Sequence, residues 1–325
     1  MSHLIDMSNN RANIAYAGET PWHGLGANVG ADEPLDVWME KAGFNWEVKK
    51  APVQFAPEGS DSLVDVPNRW ALYRSDNQKP LSVMSSNYNI TQPRDVAEFF
   101  RELVQAGGMK METMGMLRGG ATYWALARVD DSFDVGAGDN VLPYLLLATS
   151  CDGTLSNCAQ FTTVRVVCNN TLTLTLGKSG EKASIRVPHS TQFNPVRFKT
   201  ELGLIGGSWD RFKKESVELA KRQVSREEAV RFMLNVFYPD QSIDLDDKVV
   251  RPQLAQALSI YENGVGQTTK TAAGTAWGLL NAVTRQVDHE KKASSNDSRL
   301  QSAWFGQGAR YKARAFDEAM ALLAA

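Results

Sequence analysis

The sequence predicts a mixed α+β fold, in which helices pack on an antiparallel β-meander and a helical C-terminal half follows. Short apolar stretches that alternate with polar residues and end at Gly-rich turns fill the first half. Beyond Pro195 the apolar residues recur at helical spacing instead. We therefore expect a strand-rich α+β core with an N-terminal arm over residues 1–190. A mostly helical region packed on that core is expected over residues 191–325.

The first half is predicted to hold two helices. The first covers Leu35–Ala42 and ends at Gly43, and the second begins at Pro93 and ends at Gly107 and Gly108, because its apolar residues form one stripe. Alternation also predicts short strands before the second helix. These cover Phe44–Val48 with Val53–Phe55, Arg69–Tyr73 and Leu81–Ser85.

A meander of at least four strands is predicted after the second helix. A hairpin of Met111–Leu117 and Thr122–Val129 has a Gly-rich turn that permits positive φ. The strands Val141–Ser150 and Gln160–Val167 follow. Thr171–Leu176 alternates Leu and Thr, which favours a strand, although its position also suits a packing helix. The later helices are predicted over Phe198–Val236 with a break at Gly206 and Gly207, Gln253–Tyr261, Ala272–His289 and Lys312–Leu323.

Charge is distributed unevenly along the chain, although the net charge is only −2. Residues 1–160 hold 12 Lys and Arg against 20 Asp and Glu, a balance of −8. Residues 161–231 hold 13 against 7, a balance of +6. The middle segment is therefore the place to expect a surface that binds a polyanion, although a solvated helix face also explains such runs.

Composition predicts a cytoplasmic protein, because no apolar run is long enough to span a membrane and the N-terminus lacks a signal-peptide pattern. Cys151, Cys158 and Cys168 fit neither a zinc site nor a redox motif, so we expect buried thiols in a reducing compartment. The stretch Gly264–Thr271 departs from a phosphate-binding loop, since Thr269 stands where glycine must precede the lysine. We expect it to open the helix that contains Trp277.

No catalytic constellation, metal site or cofactor is predicted, because the four histidines are far apart in the sequence. The Gly-rich turn around Trp22 and His23 is expected to be an arm that covers a sheet edge, contacts a neighbouring subunit or contacts a ligand. Cations and aromatic residues along the middle of the chain suggest a track for a single nucleic-acid strand, although Phe193 and Phe198 also suit a core. The predicted nucleic-acid-binding residues are Arg118, Arg128, Arg165, Lys178, Lys182, Arg186, Arg197, Lys199, Tyr123 and Trp124.

Several motifs together resemble a phage- and plasmid-encoded family of unknown function (domain of unknown function nine-three-two) over nearly the whole chain. They are Pro21–Gly26, Asn87–Tyr88 with Gln92–Pro93, Leu117–Gly120, Pro143–Leu147, Thr163–Leu172 and Gly274–Leu280. Members often have histidine before the Asp-Gly of the central turn, where this chain has Cys151. A catalytic histidine is therefore not carried over to this sequence.

The order of a helix, an antiparallel meander and a following helix is also similar to single-strand annealing proteins of the RecT, Erf and Red-beta kind. That similarity implies oligomers that hold single-stranded DNA in a basic groove without nucleotide or metal. It also implies a helix over Asn169–Leu176. We expect a phage or plasmid protein that binds and anneals single-stranded DNA. The alternative is a mobile-element interaction module that binds and inhibits a host defence or regulatory protein.

Overall fold

The computed structural model describes residues 12–18, 26–30, 32–107, 109–129, 132–165, 170–173, 184–187, 200, 206–239, 251–294 and 296–324. Antiparallel sheets occupy the N-terminal half and helices the C-terminal half, so the predicted mixed α+β class is confirmed. No helix among these residues is long and apolar enough to cross a membrane.

The strands are, in chain order, β1 Ile14–Tyr16, β2 Ala27–Asn28, β3 Val48–Phe55, β4 Val64–Arg74, β5 Pro80–Ser85, β6 Lys110–Leu117, β7 Thr122–Arg128, β8 Phe133–Asp134, β9 Asn140–Ser150, β10 Asn157–Arg165, β11 Asn170–Thr173 and β12 Ser184–Val187. The helices are α1 Leu35–Ala42, α2 Pro93–Gly107, α3 Gly206–Lys221, α4 Arg226–Phe237, α5 Pro252–Asn263, α6 Ala276–Arg285, α7 Asn296–Phe305 and α8 Gln307–Ala324. A π-helical turn, Gln286–Glu290, continues α6.

The strands form two sheets. The larger has the order β11-β10-β9-β7-β6-β1-β2, with β12 on β10 and β8 on β9, whereas the smaller has the order β3-β4-β5. The predicted meander is confirmed, because β6, β7, β9 and β10 are successive neighbours. The N-terminal residues expected to be an arm or loop supply β1, which pairs with β6.

The chain divides into two compact units, each made of several segments. One comprises Met1–Val129, Leu145–Ala159 and Ile185–Leu202, and the other comprises Asp130–Tyr144, Gln160–Ser184 and Gly203–Ala325. The predicted regions 1–190 and 191–325 stay a prediction.

The first unit confirms both helices expected in the N-terminal half. Helix α1 ends at Gly43, whose φ of 75° is left-handed, as a glycine after a helix permits. Phe44 follows at once and is buried, with its ring centroid 6.2 Å from that of Tyr123. The turn at Gly43 therefore aims the chain into the core of this unit.

In the second unit an aromatic core forms around Phe212. Its ring centroid lies 5.7 Å from that of Trp209, 6.2 Å from that of Phe316 and 6.4 Å from that of Trp277. The buried carboxylate of Asp139 accepts a hydrogen bond from the Trp277 indole N–H at 3.1 Å. This bond ties the segment before β9 to helix α6.

Two expectations about local structure are settled here. The strand that alternation favoured over Thr171–Leu176 is confirmed at Thr171–Thr173, where β11 pairs antiparallel with β10, and residues 174–176 lie outside the described part. The helix implied by the annealing proteins is therefore wrong over Asn170–Thr173. Gly264–Thr271 follows helix α5 and precedes α6, whose N-cap is Thr275. It is therefore the expected loop that opens the Trp277 helix.

Helical spacing over Phe198–Val236 was predicted with a break at Gly206 and Gly207. Among the described residues the structure has two helices here, α3, which begins at Gly206, and α4. The break lies after Lys221 and not only at the glycines, because Ser225 and Glu228 form a capping box that starts α4. Ser225 Oγ accepts from the Glu228 backbone N–H at 3.2 Å, and Glu228 accepts from the Ser225 backbone N–H at 2.8 Å.

This capping box predicts a measurable pH dependence. Hydrogen bonds from the Ser225 backbone and from Arg222 lower the pKa of Glu228 from its ordinary 4.5 to about 2. Because the folded pKa lies below the unfolded one, the stabilisation is present above pH 4.5 and is lost as the pH falls toward 2. In urea unfolding, wild type is expected to exceed Glu228→Gln in stability at about pH 6, with the difference vanishing near about pH 2. A difference that does not change with pH would contradict this assignment.

Candidate nucleic-acid interface

The three-stranded sheet β3-β4-β5 has a face defined by its register. Directly opposed residues in paired strands share a face, and successive residues along a strand alternate between faces. Lys49 pairs with Tyr73, and Ala71 pairs with Ala51 on one side and Val83 on the other. Arg69, two residues before Ala71, pairs with Ser85. This set is called the open face: Lys49, Ala51, Arg69, Ala71, Tyr73, Val83 and Ser85.

Part of the opposite face of the same sheet is covered by protein. Val48, Leu72 and Arg74 lie on it and are 3%, 2% and 1% exposed. Ser82, on this face of β5, donates a hydrogen bond to the Cys151 carbonyl oxygen at 2.5 Å. The turn between β9 and β10 therefore covers this part of the opposite face.

The open face has cations near both ends and small side chains between them. Lys49 and Arg69 are exposed, Ala51, Ala71 and Tyr73 are partly exposed, and Val83 is 56% exposed. With a rise of about 3.3 Å per residue, the Cα atoms of Lys49 and Arg69 are roughly 14 Å apart. Ala51 and Ala71 carry only methyl side chains, so a planar ring or an extended backbone can approach the sheet closely between the two cations.

The two cations differ in their surroundings. Lys49 forms an exposed ion pair with Glu47, and the hydrogen bond and charge of Glu47 raise the pKa of Lys49. Exposed pairs of this kind contribute little to stability, so an anionic ligand can replace Glu47. Among the described residues, none forms an ion pair with Arg69.

The opposite face also carries a cation next to an aromatic ring, at positions that solvent reaches. The Lys50 ammonium lies 5.1 Å from the centroid of the Trp70 ring. Lys50 is exposed and Trp70 is partly exposed. The strand β3 thus carries positive charge on both of its faces.

Arg118, predicted to bind nucleic acid, lies in the turn between β6 and β7. Its Nη1 is 2.7 Å from Asp152 Oδ2 and donates to Thr154 Oγ1 at 3.1 Å. Its backbone is left-handed, with φ of 56°, which is uncommon for a residue other than glycine. The turn therefore holds the Arg118 guanidinium, which is 39% exposed, against a carboxylate that offsets its charge.

The aromatic residues predicted to stack on bases are buried. Tyr123 is 0% exposed and Trp124 is 4% exposed, and burial raises the pKa of Tyr123 well above its ordinary value. Neither ring presents a face on which a base could stack. Arg128 is half-buried and pairs across the hairpin with Lys110, at the end of the hairpin remote from Arg118. The structure does not bring Arg118 and Arg128 together.

Most of the predicted basic track lies outside the described residues. Arg186 is exposed on β12, and the backbone of Arg165 ends β10. The predicted binding residues Lys178, Lys182, Arg197 and Lys199 lie outside the described part, as do Trp22 and His23 of the expected arm. Their roles in binding nucleic acid or a neighbouring subunit stay predictions.

Two of the cysteines are confirmed as buried free thiols, and Cys168 lies outside the described residues. Burial raises the pKa of Cys151 to about 12, and Asp152 adds to this effect. Burial also raises the pKa of Cys158 to about 11. Both side chains are therefore protonated at neutral pH, and the Cys151 thiol points at the Ala121 carbonyl oxygen at 3.4 Å. These thiols have the character of packing groups rather than nucleophiles.

Sequence reasoning predicted the strands of the small sheet but did not single out Lys49, Arg69 or Tyr73. The usable signal was the alternation itself. Along Arg69–Tyr73 the odd-numbered residues share one face of the sheet. In β3, Lys49 and Ala51 are also two residues apart and so share one face. What the pattern could not supply was the register, which brings Lys49 opposite Tyr73 and Ala71 opposite Val83.

Among known proteins, the chain matches one family model. A family model described as "Domain of unknown function (DUF932)" matches residues 80–304, which include β5 of the open face and the Arg118 turn. No curated protein and no solved structure matches the chain. Because the family match covers more than half of the sequence, the chain belongs to the DUF932 family of unknown function.

Proposed function

We propose that this protein binds single-stranded DNA along the open face and anneals it in recombination of a phage or plasmid. The observation that carries the proposal is the placement of Lys49, Tyr73 and Arg69 on one solvent-facing side of an antiparallel sheet, with Ala51 and Ala71 between them. Proteins that bind a single strand combine cations for the phosphates with apolar or aromatic surface for the bases.

The chemistry follows from the sheet geometry. Phosphates contact Lys49 and Arg69, while bases rest against Tyr73 and the exposed Val83 side chain. Ala51 and Ala71 leave room for a base plane close to the backbone. Contacts of this kind read no base edge, so binding tolerates any sequence and leaves base edges available for pairing. Annealing then needs neither nucleotide nor metal, which also fits the looser similarity to RecT, Erf and Red-beta proteins.

Charge reversal on the open face tests the proposal. The Lys49→Glu and Arg69→Glu double variant is expected to bind a labelled single-stranded oligonucleotide at least about tenfold more weakly at about 50 mM salt. The slope of log affinity against log salt should become shallower by about 1.4, since each phosphate contact contributes about 0.7. Fluorescence anisotropy over a salt series measures both quantities.

A matched control changes the same amount of charge elsewhere in the first unit. Arg94→Glu with Arg101→Glu alters two exposed cations on helix α2, and it should leave affinity and slope near the wild-type values. No binding by wild type at about 50 mM salt, or equal losses in the two double variants, would remove this proposal.

A second candidate function is an interaction module that binds and inhibits a host defence or regulatory protein. The exposed Val83 on the open face favours it, because accessible apolar surface also suits a protein partner. The oligonucleotide titration separates the two functions. A host protein that co-purifies stoichiometrically with wild type but not with Val83→Glu, together with absent DNA binding, would support the module instead.

A further inference from the structure

Trp70, on the opposite face of the small sheet, differs from the other tryptophans in its exposure to solvent. The chain has eight tryptophans, of which Trp22 lies outside the described residues. Six of the remaining seven are at most 7% exposed, whereas Trp70 is partly exposed. An indole ring that stays partly in solvent leaves a large apolar surface unburied, and such rings are enriched where proteins contact ligands and partners.

The register places Trp70 in an apolar row across this face. Trp70 pairs with Pro52 of β3 on one side and with Met84 of β5 on the other. Pro52 is exposed and Met84 is partly exposed. The covering turn reaches Met84, because an added Cβ atom on Gly153 would lie 2.8 Å from the Met84 methyl carbon. The row from Trp70 to Pro52 is accessible to solvent beside that covered part.

Lys50 supplies positive charge next to this ring. Its ammonium lies 5.1 Å from the centroid of the Trp70 ring, and no carboxylate among the described residues forms an ion pair with it. Lys50 also follows Lys49 of the open face directly, and successive side chains of a strand point to opposite faces. Since β3 is an outer strand of this sheet, a chain of phosphates can contact both lysines by passing over its edge.

The outer edge of β3 suits such a path. The Gln92 side chain binds this edge at Val48, where it accepts from the backbone N–H at 2.8 Å and donates to the carbonyl oxygen at 3.1 Å. Backbone groups of alternate residues point to the same edge, so the Lys50 backbone N–H points outward, whereas Pro52 has no N–H. Proline on an outer strand disfavours pairing with another protein strand. The Lys50 N–H is thus placed to donate to a phosphate oxygen.

We propose that Trp70 and Lys50 form a second contact for the bound DNA strand, in which a base stacks on the indole and a phosphate contacts the ammonium. This inference rests on the proposed function, and it extends the path of the strand from the open face over the edge of β3. Every base has a planar face, so this contact also binds without regard to sequence.

Substitution of Trp70 tests the stacking contact. In fluorescence anisotropy with a labelled strand of about 16 nucleotides, Trp70→Ala is expected to bind about tenfold more weakly than wild type. Trp70→Phe keeps an aromatic face and should recover most of this loss. The slope of log affinity against log salt should stay the same in Trp70→Ala, whereas Lys50→Gln should make it shallower by about 0.7 because a phosphate contact is lost. A thermal melt checks that each variant is folded.

A strand built from stable abasic analogues separates stacking from a structural role of Trp70. Wild type should bind this strand more weakly than the normal one, and Trp70→Ala should cause no further loss. Tyr238→Ala is the matched control in the second unit, because Tyr238 is also partly exposed and Arg251 Cζ lies 5.9 Å from its ring centroid. This control should bind the normal strand like wild type.

The outcomes distinguish this contact from the proposed function. Wild-type affinity in Trp70→Ala, or an equal loss on the abasic strand, would overturn the contact alone, provided that Lys49→Glu with Arg69→Glu still weakens binding. Binding of thymidine monophosphate with a Kd below about 100 μM would assign the pair to a free nucleotide and also overturn it. Absence of wild-type binding at about 50 mM salt would remove both proposals.

Discussion

Replacement of Asp288 by alanine is expected to lower the free energy of unfolding by about 3–5 kcal/mol. The Lys312 ammonium donates to Asp288 Oδ1 at 2.9 Å, and the two side chains are 0% and 7% exposed. Removal of the carboxylate leaves a charged ammonium on helix α8 inside the second unit without that partner. Urea unfolding monitored by tryptophan fluorescence measures the change.

Two further variants distinguish the cost of leaving a buried charge unpaired from the cost of losing an ion pair. Asp288→Leu with Lys312→Met should recover most of the lost stability, because replacing both buried charges removes the desolvation cost. Glu227→Ala breaks the exposed pair with Arg231 on helix α4 and should cost less than about 1 kcal/mol. Equal effects of Asp288→Ala and Glu227→Ala would contradict the buried pair.

Replacement of Arg74 by alanine is expected to cost about 3–5 kcal/mol. This side chain is 1% exposed and lies on the covered face of the small sheet. Its guanidinium makes two hydrogen bonds to Asp76 at 2.9 and 2.7 Å and one to the Gly119 carbonyl oxygen at 3.0 Å. It also stacks on Trp46, with Cζ 4.3 Å from the ring centroid. The variant loses all of these contacts together and leaves a cavity.

The Arg74→Lys variant separates the role of the charge from that of the guanidinium group, because lysine keeps the positive charge but lacks the planar guanidinium with its several N–H donors. We expect it to recover less than half of the stability lost in Arg74→Ala. Arg69→Ala in the same strand is the control, and it should change stability by less than about 0.5 kcal/mol because Arg69 is exposed. An Arg74→Lys protein as stable as wild type would show that the guanidinium contacts do not contribute to stability.

Local patterns predicted much of the fold. The helix Leu35–Ala42 was predicted to the residue, since Gly43 supplies the left-handed C-terminal cap. A short sequence signal is easier to overlook. The capping box of Ser225 and Glu228 begins helix α4 and separates it from α3, although the apolar spacing continues through both helices. Alternation of Leu and Thr also predicted a strand over Thr171–Leu176, and the described part of that stretch lies in β11, where analogy to the annealing proteins implied a helix.

The candidate site was less predictable, because it depends on register and burial rather than on residue type. Tyr123 and Trp124 have the composition of a stacking platform, yet both are buried in the sheet. Arg118 has the charge of a phosphate ligand, yet Asp152, distant in sequence, lies 2.7 Å from it. Lys49 and Tyr73 become neighbours only through the pairing of β3 with β4. Periodicity within one strand does not encode any of these contacts.

Photochemical crosslinking tests most directly the claim that the open face holds a single DNA strand. An oligonucleotide of about 16 nucleotides with photoreactive uracils is irradiated with the full chain, and the attached peptides are identified by mass spectrometry. The predicted result is attachment to the peptide that contains Tyr73 in wild type, and its loss in Lys49→Glu with Arg69→Glu. Attachment confined to helices α3–α8, or no attachment at all, would contradict the account.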